Sequence, residues 1–220
     1  MLAVIVLAGG SGSRFGASGN KVYAELDGRP VLAHSLTVLA RDFAWIVIVH
    51  REGERDQARA ASAVALGDYS GQVSLVSGGA TRTASERSGL EALRNGIAGG
   101  EVSYVAVHDG ARPYLTTDLV GRLAAAVVGH AGAIPGVEID GFLSRTRNGT
   151  IDPLGPAERR AVQTPQVFEA RTLQAAFDGQ PDAEGADTAA IVLAAGERDV
   201  VVIPGDPANR KITFATDLGP

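Results

Sequence analysis

The sequence predicts an α/β fold in which a mostly parallel β-sheet lies between two layers of helices. Short β-branched runs alternate with longer segments rich in Ala and Leu, and this alternation is typical of a three-layer domain. The runs are almost continuously apolar, as expected for strands covered on both faces of a sheet. The length of 220 residues fits one hydrophobic core, so we expect residues 1–220 to form a single domain.

Five apolar runs are predicted strands, and six segments with apolar residues at helical spacing are predicted helices. The strands cover residues 3–8, 46–49, 73–76, 104–108 and 200–203. The helices cover residues 31–40, 55–66, 84–93, 119–128, 172–177 and 187–195, and several of them end at Gly or Asn-Gly. Strand and helix therefore alternate over most of the chain.

Residues 136–160 depart from this alternation. Asp140-Gly141, Asn148-Gly149 and two prolines divide the segment into short pieces with little apolar content. Residues 142–147, followed by Asn148-Gly149, predict a hairpin. Because such a segment has little to bury, we expect it to leave the domain as an arm.

Composition and charge exclude several classes of protein. The net charge of −5 argues against a nucleic-acid binder, which normally carries a basic stripe. The absence of cysteine excludes disulfides, thiol nucleophiles and cysteine-ligated metal sites. The apolar start, residues 1–8, has no charged leader and reaches Gly9-Gly10 too soon for a signal peptide or a membrane helix, so we expect a cytoplasmic protein.

Lysine is unusually rare in this chain. Of the 20 basic residues, 18 are arginine, and the two lysines are Lys21 and Lys211. Codon bias explains the scarcity of lysine, but it does not explain why these two positions keep one. The count therefore singles out both lysines as candidate functional residues.

A glycine-rich segment, residues 7–16, follows the first predicted strand, where open α/β sheets bind ligands. Glycine allows backbone N–H groups to approach phosphate oxygens closely. The dinucleotide fingerprint fails, because its third glycine would fall at Phe15, and the P-loop motif is absent as well. What remains is a glycine turn with Arg14 and Lys21, a pattern suited to electrostatic stabilisation of a reacting phosphate. The alternative is a turn that needs glycine beside two solvated cations.

Six motifs follow one another along the chain: Leu7-Ala-Gly-Gly-Ser-Gly-Ser-Arg14 with Asn20-Lys21, Asp27-Gly-Arg-Pro-Val-Leu32, Gly78-Gly79 with Arg82 and Ser85, His108-Asp-Gly-Ala-Arg-Pro113, Gln163-Thr-Pro-Gln166, and Asn209-Arg-Lys-Ile-Thr213. They occur in the order found in the 2-C-methyl-D-erythritol 4-phosphate cytidylyltransferases, so the chain resembles that family and the related ribitol-5-phosphate cytidylyltransferases. Each motif is weak alone, but together they span nearly the whole chain.

The resemblance implies a Rossmann-like nucleotidyltransferase domain with a protruding β-arm. Such enzymes transfer CMP from CTP to a polyol phosphate and release pyrophosphate, with Mg²⁺ held mainly by the nucleotide phosphates and not by metal ligands of the protein. The acceptor of the named family is 2-C-methyl-D-erythritol 4-phosphate, an isoprenoid precursor. The arm, residues 136–160, is expected to dock on the partner subunit of a homodimer.

The resemblance also implies roles for individual residues. Arg14 and Lys21 would stabilise the charge on the α-phosphate, and Lys211 would orient the acceptor phosphate. The nucleotide would contact Ala8, Gly9, Gly10 and Gly12, with Gly79 and Ser85 at the cytosine. The acceptor side would use Asp109, Arg112, Thr164 and Arg159. A carboxylate beside two phosphorylated ligands is repulsive unless it contacts a hydroxyl group or a metal, and this is the role expected for Asp109. For His108 a structural role is favoured.

The acceptor half of the predicted site departs from the family pattern. Asp140 has no threonine beside it, and Pro156 stands where the family has an arm arginine, for which Arg159 or Arg160 is a substitute. A threonine-aspartate pair is replaced by Ala186-Asp187, in which Asp187 is also explained as a helix N-cap. These departures leave open another acceptor, such as ribitol 5-phosphate, or a nucleotide-binding homologue without turnover.

Overall fold

The computed structural model describes residues 1–10, 15, 19–139, 144–145, 151–152 and 159–218. The strands are β1 (Leu2–Leu7), β2 (Glu25–Leu26), β3 (Arg29–Pro30), β4 (Trp45–His50), β5 (Gln72–Ser77), β6 (Tyr104–Asp109), β7 (Gly132–Glu138), β8 (Ser144–Arg145), β9 (Ile151–Asp152), β10 (Arg160–Val162), β11 (Gln166–Glu169) and β12 (Val200–Pro204). The helices are α1 (Val31–Leu39), α2 (Arg55–Leu66), α3 (Arg82–Ala98), α4 (Thr117–Ala126), α5 (Ala170–Asp178) and α6 (Thr188–Ala194).

Eight of these strands form one mostly parallel sheet, as predicted. From one edge, β5, β4, β1 and β6 pair in parallel. β11 then lies antiparallel between β6 and β7, and β12 pairs in parallel with the far side of β7. β10 continues along the same side of β7 as β11. The predicted α/β class is therefore confirmed.

The helices cover both faces of the sheet, which confirms the three-layer arrangement. Along β1, Val4 and Val6 pack in a core with α1, α2 and α4, whereas Ala3 and Ile5 pack in a second core with α3, α5 and α6. These four side chains are fully buried, as the alternation of side chains along a strand requires when both faces are covered. The architecture is Rossmann-like.

The predicted strands and helices are present, with bounds that differ by a few residues. The largest difference is in α3, which ends at Ala98 and not at residue 93. It starts at Arg82 because the Thr81 side chain caps it by accepting from the Ala84 amide. Capping of α6 by Asp187 is confirmed, because its carboxylate accepts from the Ala190 amide at 2.9 Å.

Three strands of the main sheet, β7, β10 and β11, were not predicted, and the predicted ends of the arm were wrong. Gly136–Glu138 belong to β7 and Arg160 begins β10, and the two segments pair in the main sheet. Two glycines and Pro135 obscured β7. Gly132 is required there because a Cβ would lie 2.5 Å from the Phe168 ring, and Pro135 still accepts a hydrogen bond from the Gln163 amide. The arm is therefore shorter than predicted.

The predicted hairpin in the arm is confirmed by antiparallel pairing of β8 with β9. Its Asn148-Gly149 turn and Pro156 lie outside the described residues. Within the described part of the chain, no helix combines the length and apolar character needed to cross a membrane.

Candidate active site

A cavity of about 560 Å³ opens where β1, β4 and β6 end. Because these strands are parallel, their carboxyl ends meet at one edge of the sheet, the usual ligand site of such folds. Its wall includes seven residues predicted from the sequence: Gly9, Gly10, Lys21, Gly79, Ser85, Asp109 and Lys211. The two lysines of the chain, 190 positions apart, therefore reach the same cavity.

The glycine segment forms one side of the cavity through its backbone. Gly9 and Gly10 lie in the wall, and Arg51 at the end of β4 donates to the Gly10 carbonyl at 2.8 Å. Ala8 is fully buried, its N–H donates to β4, and its carbonyl accepts from Asn20 Nδ2 at 2.6 Å. Ala8 supports the loop and is not among the described residues that line the cavity, and its contact with the nucleotide stays a prediction.

Lys21 is placed by a short 3-10 helix, Lys21–Tyr23, directly after Asn20. The Asn20 side chain accepts from the Val22 amide and donates to Glu54 Oε2 at 2.8 Å, so it ties this helix to the loop before α2. Asn20 is buried, and its contacts hold the start of the helix against the cavity wall. Gly12 and Arg14, also predicted for this side of the site, lie outside the described residues.

The start of α3 forms the opposite wall. Ser85 Oγ donates to the Thr81 carbonyl at 2.9 Å and also lies 3.4 Å from the carbonyl of Gly79. A Cβ on Gly79 would lie 2.4 Å from the Ala84 Cβ, so this close turn requires glycine. The result is a surface of backbone groups with the hydroxyls of Thr81 and Ser85 and the guanidinium of Arg82. A hydroxyl can both donate and accept a hydrogen bond.

Asp109, the last residue of β6, is the centre of a charged cluster on the remaining side. Its Oδ2 lies 2.8 Å from Lys211 Nζ and 3.6 Å from Arg112 Nε, and its Oδ1 lies 3.5 Å from Arg82 Nη2. Burial raises the pKa of the Asp109 carboxyl, but the charges of Lys211 and Arg82 outweigh burial and hold that pKa well below its usual range. Asp109 is therefore ionised at neutral pH.

The loop that carries Lys211 is clamped to the sheet by buried amides. The Gln163 side chain donates to the Asp206 carbonyl at 2.7 Å and accepts from the Asp206 amide at 3.0 Å. Asn209, fully buried, donates to the Thr164 carbonyl, and the Ile212 amide bonds to the turn after β6. These contacts explain why Lys211 reaches Asp109 although 102 positions separate them.

Three other predicted residues have supporting or remote positions. Arg112 donates to the Asn209 carbonyl at 2.7 Å in addition to its contact with Asp109. Thr164 is buried and its Oγ1 accepts from the Asp109 amide at 3.0 Å. Arg159 is exposed and does not line the described cavity.

His108 fits the structural role expected from the sequence. The side chain is fully buried, and burial lowers its pKa to about 4, so the imidazole is neutral at neutral pH. Its Nδ1 lies 3.3 Å from Thr164 Oγ1, the same atom that accepts from the Asp109 amide. The ring therefore lies behind the cavity wall.

The described side chains do not form a protein metal site. No group of three or more His, Asp and Glu among them is placed to hold a metal ion. Of the described residues that line the cavity, one, Asp109, is acidic, and three cations surround it. Magnesium that is bound with substrate phosphates usually takes one or two carboxylates from a protein, so Asp109 is the acidic residue of the described lining that could contact such an ion.

Several residues of the site had no role predicted from the sequence. Arg82 and Asn20 were part of the family motifs, but Arg51 and the fully buried Glu86 were not singled out. Glu86 left a signal in the sequence, because it occupies a position on the apolar stripe of α3 that Leu90 and other buried residues continue. An acidic residue on such a stripe indicates a buried partner.

Comparisons with known proteins agree with this site and fold. The family model described as IspD, 2-C-methyl-D-erythritol 4-phosphate cytidylyltransferase, matches residues 2–219. A protein of that name from Cereibacter sphaeroides is 36% identical over 98% of this chain and 93% of its own length. The bifunctional IspD/IspF enzyme of Clavibacter michiganensis is 39% identical over 99% of this chain, which corresponds to 52% of that enzyme.

Solved structures show the same architecture. The 2-C-methyl-D-erythritol 4-phosphate cytidylyltransferase of Thermus thermophilus has a TM-score of 0.74 at 28% identity, covering 98% of this chain and 94% of the other. The 4-diphosphocytidyl-2C-methyl-D-erythritol synthase of Anaerococcus prevotii has a TM-score of 0.82 at 24% identity, covering 99% and 94%, and supports the fold alone. The chain therefore belongs to the IspD family of 2-C-methyl-D-erythritol 4-phosphate cytidylyltransferases.

Proposed function

We propose that this cytidylyltransferase transfers CMP from CTP to 2-C-methyl-D-erythritol 4-phosphate, giving CDP-methylerythritol and pyrophosphate for isoprenoid synthesis. The main support for the proposal is that one cavity contains both a glycine-lined wall and a cluster of cations around Asp109. The first suits a nucleotide and the second suits a phosphorylated polyol. Membership of the family supplies the chemical identity of the two substrates.

The nucleotide is proposed to bind between the glycine loop and α3. Backbone groups of Gly9, Gly10 and Gly79 would contact it, with Ser85 at the cytosine. Lys21, together with Arg14, would stabilise the charge that develops on the α-phosphate. Fixed positive groups are effective here because phosphoryl transfer depends mainly on positioning and electrostatic stabilisation.

The acceptor is proposed to bind against Asp109 and Lys211. An oxygen of its phosphate attacks the α-phosphorus of CTP and forms the new P–O bond, while the bond to the bridging oxygen breaks and pyrophosphate leaves with that electron pair. The attacking oxygen is already ionised near neutral pH, so no general base is needed. Lys211 would orient the phosphate, and the ionised Asp109 would accept hydrogen bonds from acceptor hydroxyls.

Mg²⁺ is proposed to arrive on the phosphates of CTP. This is supported by the affinity of hard cations for phosphate oxygens and by the cationic surroundings of Asp109. When bound, the ion would reduce the negative charge of the triphosphate. The protein itself would place the two substrates and, through Lys21 and Arg14, stabilise the charge on the α-phosphate.

The direct test is pyrophosphate release from CTP, Mg²⁺ and 2-C-methyl-D-erythritol 4-phosphate. We expect turnover that requires all three and that is lost when ATP or UTP replaces CTP. Omission of the acceptor controls for CTP hydrolysis. Turnover with another polyol phosphate, but not with this acceptor, would contradict the proposed substrate and keep the reaction type.

Ribitol 5-phosphate is the second candidate acceptor. It is favoured by one observation, the loss of acceptor motifs at Pro156 and Ala186. Both acceptors should therefore be compared at equal concentration by kcat/KM. A CTP-dependent rise in melting temperature without turnover on any polyol phosphate would indicate a nucleotide-binding homologue instead.

We also propose that the enzyme is a cytoplasmic homodimer. An exposed apolar patch on the main sheet supports the dimer: Val162 and Val202 flank Gly136 on one face and are 47% and 58% exposed. The cytoplasmic location is supported by the use of CTP, a cytoplasmic metabolite. Light scattering coupled to size exclusion tests the dimer, and Val202→Asp should shift it toward monomer.

A further inference from the structure

A buried acidic residue lies directly behind the charged side of the cavity, and the proposed chemistry does not use it. Glu86 is fully buried on α3. Its Oε1 contacts Arg82 Nη1 and accepts a hydrogen bond from Thr188 Oγ1 at 2.8 Å. Its Oε2 is buried and has no hydrogen-bond partner in the described part of the protein. A buried carboxylate is costly unless it is paired and fully hydrogen-bonded, and here only one of the two oxygens has partners among the described residues.

Arg82 connects this carboxylate to the active site. One nitrogen of its guanidinium, Nη1, contacts Glu86, and the other, Nη2, lies 3.5 Å from Asp109 Oδ1. Arg82 also lines the cavity, whereas Glu86 does not. The planar guanidinium presents its two ends in a fixed relation, so a contact at one end constrains the direction of the other.

We propose that Glu86 is a positioning residue. It holds Nη1 of Arg82 so that Nη2 of the same guanidinium faces Asp109 and the acceptor. This inference rests on the proposed function and deepens it, because it names a residue remote from the substrate that sets the geometry of the acceptor side. Glu86 acts through Arg82 and touches no substrate. CTP is proposed to contact the backbone at Gly79 and the Ser85 hydroxyl, and not the Arg82 guanidinium, so its binding is expected to depend little on Glu86.

The cost of Glu86 to the fold supports a functional role. Burial raises the pKa of Glu86 to about 7, against the opposing effects of Arg82 on its own helix and Thr188 on α6, and the charges of Asp109 on β6 and Asp187 before α6 raise it further. A carboxyl whose pKa is raised in the folded state loses stabilisation as pH rises from its ordinary value of 4.5 toward 7. Ionised Glu86 therefore weakens the fold at the pH where it anchors Arg82.

The test uses Glu86→Gln, which keeps the shape and removes the charge, and Glu86→Met as a second variant. At pH 8 we expect kcat/KM for the acceptor to fall about tenfold, a loss of about 1.4 kcal/mol in transition-state stabilisation, while the Kd for CTP changes less than twofold. The ratio of wild-type to variant activity should approach one at pH 6, where Glu86 is protonated.

Stability and a double variant separate positioning from packing. Between pH 4.5 and about 7 the melting temperature of either variant should rise relative to that of wild type. Above this range the difference between the two melting temperatures should stay constant. If Glu86 acts through Arg82, the double variant Glu86→Gln with Arg82→Gln should be no less active than Arg82→Gln alone. The control is Glu91→Gln, which removes an exposed ion pair with Arg94 on the same helix and should change neither readout.

Additive losses in the double variant, or equal losses in CTP binding and acceptor kinetics, would overturn the proposal. If the wild-type enzyme uses no polyol phosphate, the proposed function fails, and the positioning role is decided by crystal structures of wild type and Glu86→Gln at pH 8. Displacement of the Arg82 guanidinium from Asp109 supports it. An unchanged guanidinium refutes it.

Discussion

The two sides of the cavity differ in the chemical groups that they present to a ligand. The wall toward the glycine loop, the backbone wall, presents mainly backbone groups at Gly9, Gly10 and Gly79, with Lys21 and Arg51 beside them. The wall toward the last loop, the ionic wall, consists of charges: Asp109 contacts Lys211 directly and faces Arg82 and Arg112. A backbone wall depends on the absence of side chains, whereas a charged wall depends on a balance that every member affects.

This difference predicts how each wall fails. Removing the central carboxylate of the ionic wall, Asp109, leaves its cations unbalanced in a partly buried site, so both the stability of the fold and the reaction rate should decrease. Adding a methyl group to the backbone wall displaces a turn and weakens binding, with a smaller effect on the reaction. The variants below compare the two walls.

The largest effect is expected for Asp109→Asn. Loss of the carboxylate leaves Lys211, Arg82 and Arg112 facing one another, so we expect the free energy of unfolding to fall by about 3 kcal/mol and turnover by about 1,000-fold. Urea denaturation and pyrophosphate release measure the two losses. Asp118→Asn, which breaks an exposed pair with Arg122, is the control and should change neither.

The difference in stability between wild type and Asp109→Asn should depend on pH. Because the pKa of Asp109 is held below its usual value of 3.8, its ionised form stabilises the fold above that pH, and this stabilisation is lost as the pH falls below it. The advantage of wild type over Asp109→Asn should therefore be constant above pH 5 and shrink toward pH 3. A constant difference over the whole range would contradict the ion-pair cluster.

Lys21→Ala tests one of the two cations, Lys21 and Arg51, that lie on the backbone wall of the described cavity. We expect kcat to fall about 300-fold with a much smaller change in the Kd for CTP, because the contact should tighten in the transition state. Single-turnover kinetics and calorimetric titration with CTP separate the two. Equal losses in both would show that Lys21 only binds the nucleotide.

Lys211→Ala tests the ionic wall at the acceptor. Asp109 keeps Arg82 and Arg112 as neighbours in this variant, so the fold should survive, and KM for the acceptor should rise about 30-fold with little change for CTP. An unchanged acceptor KM would remove Lys211 from this role.

The smallest effect is expected for Gly79→Ala. The added Cβ would lie 2.4 Å from Ala84 Cβ, so the turn must shift, and we expect CTP affinity to fall about tenfold, or about 1.4 kcal/mol. Gly121→Ala in α4 is the control, because its Cβ meets nothing within 4 Å. That variant should gain about 0.5–1 kcal/mol of stability and keep full activity.

Local sequence patterns predict the elements that depend on neighbouring residues, but not those that depend on distant parts of the chain. Glycine clusters and apolar runs depend on the conformation of neighbouring residues, so the glycine loop, the cap at Asp187 and the predicted helices were found from the sequence. β7 was missed, because Gly132 and Pro135 are tolerated there only through contacts with Phe168 and Gln163 on other segments. The sequence could not show such distant partners.

The α/β class, the glycine loop and the importance of the two rare lysines were predicted from local patterns in the sequence. The convergence of Lys211, Arg82 and Arg112 on one carboxylate, with Glu86 behind them, became visible in the three-dimensional structure alone. Charges interact through space, and the order of residues along the chain does not indicate which charges will meet. Residues 102 positions apart become neighbours only when parallel strands bring their ends to one edge of the sheet.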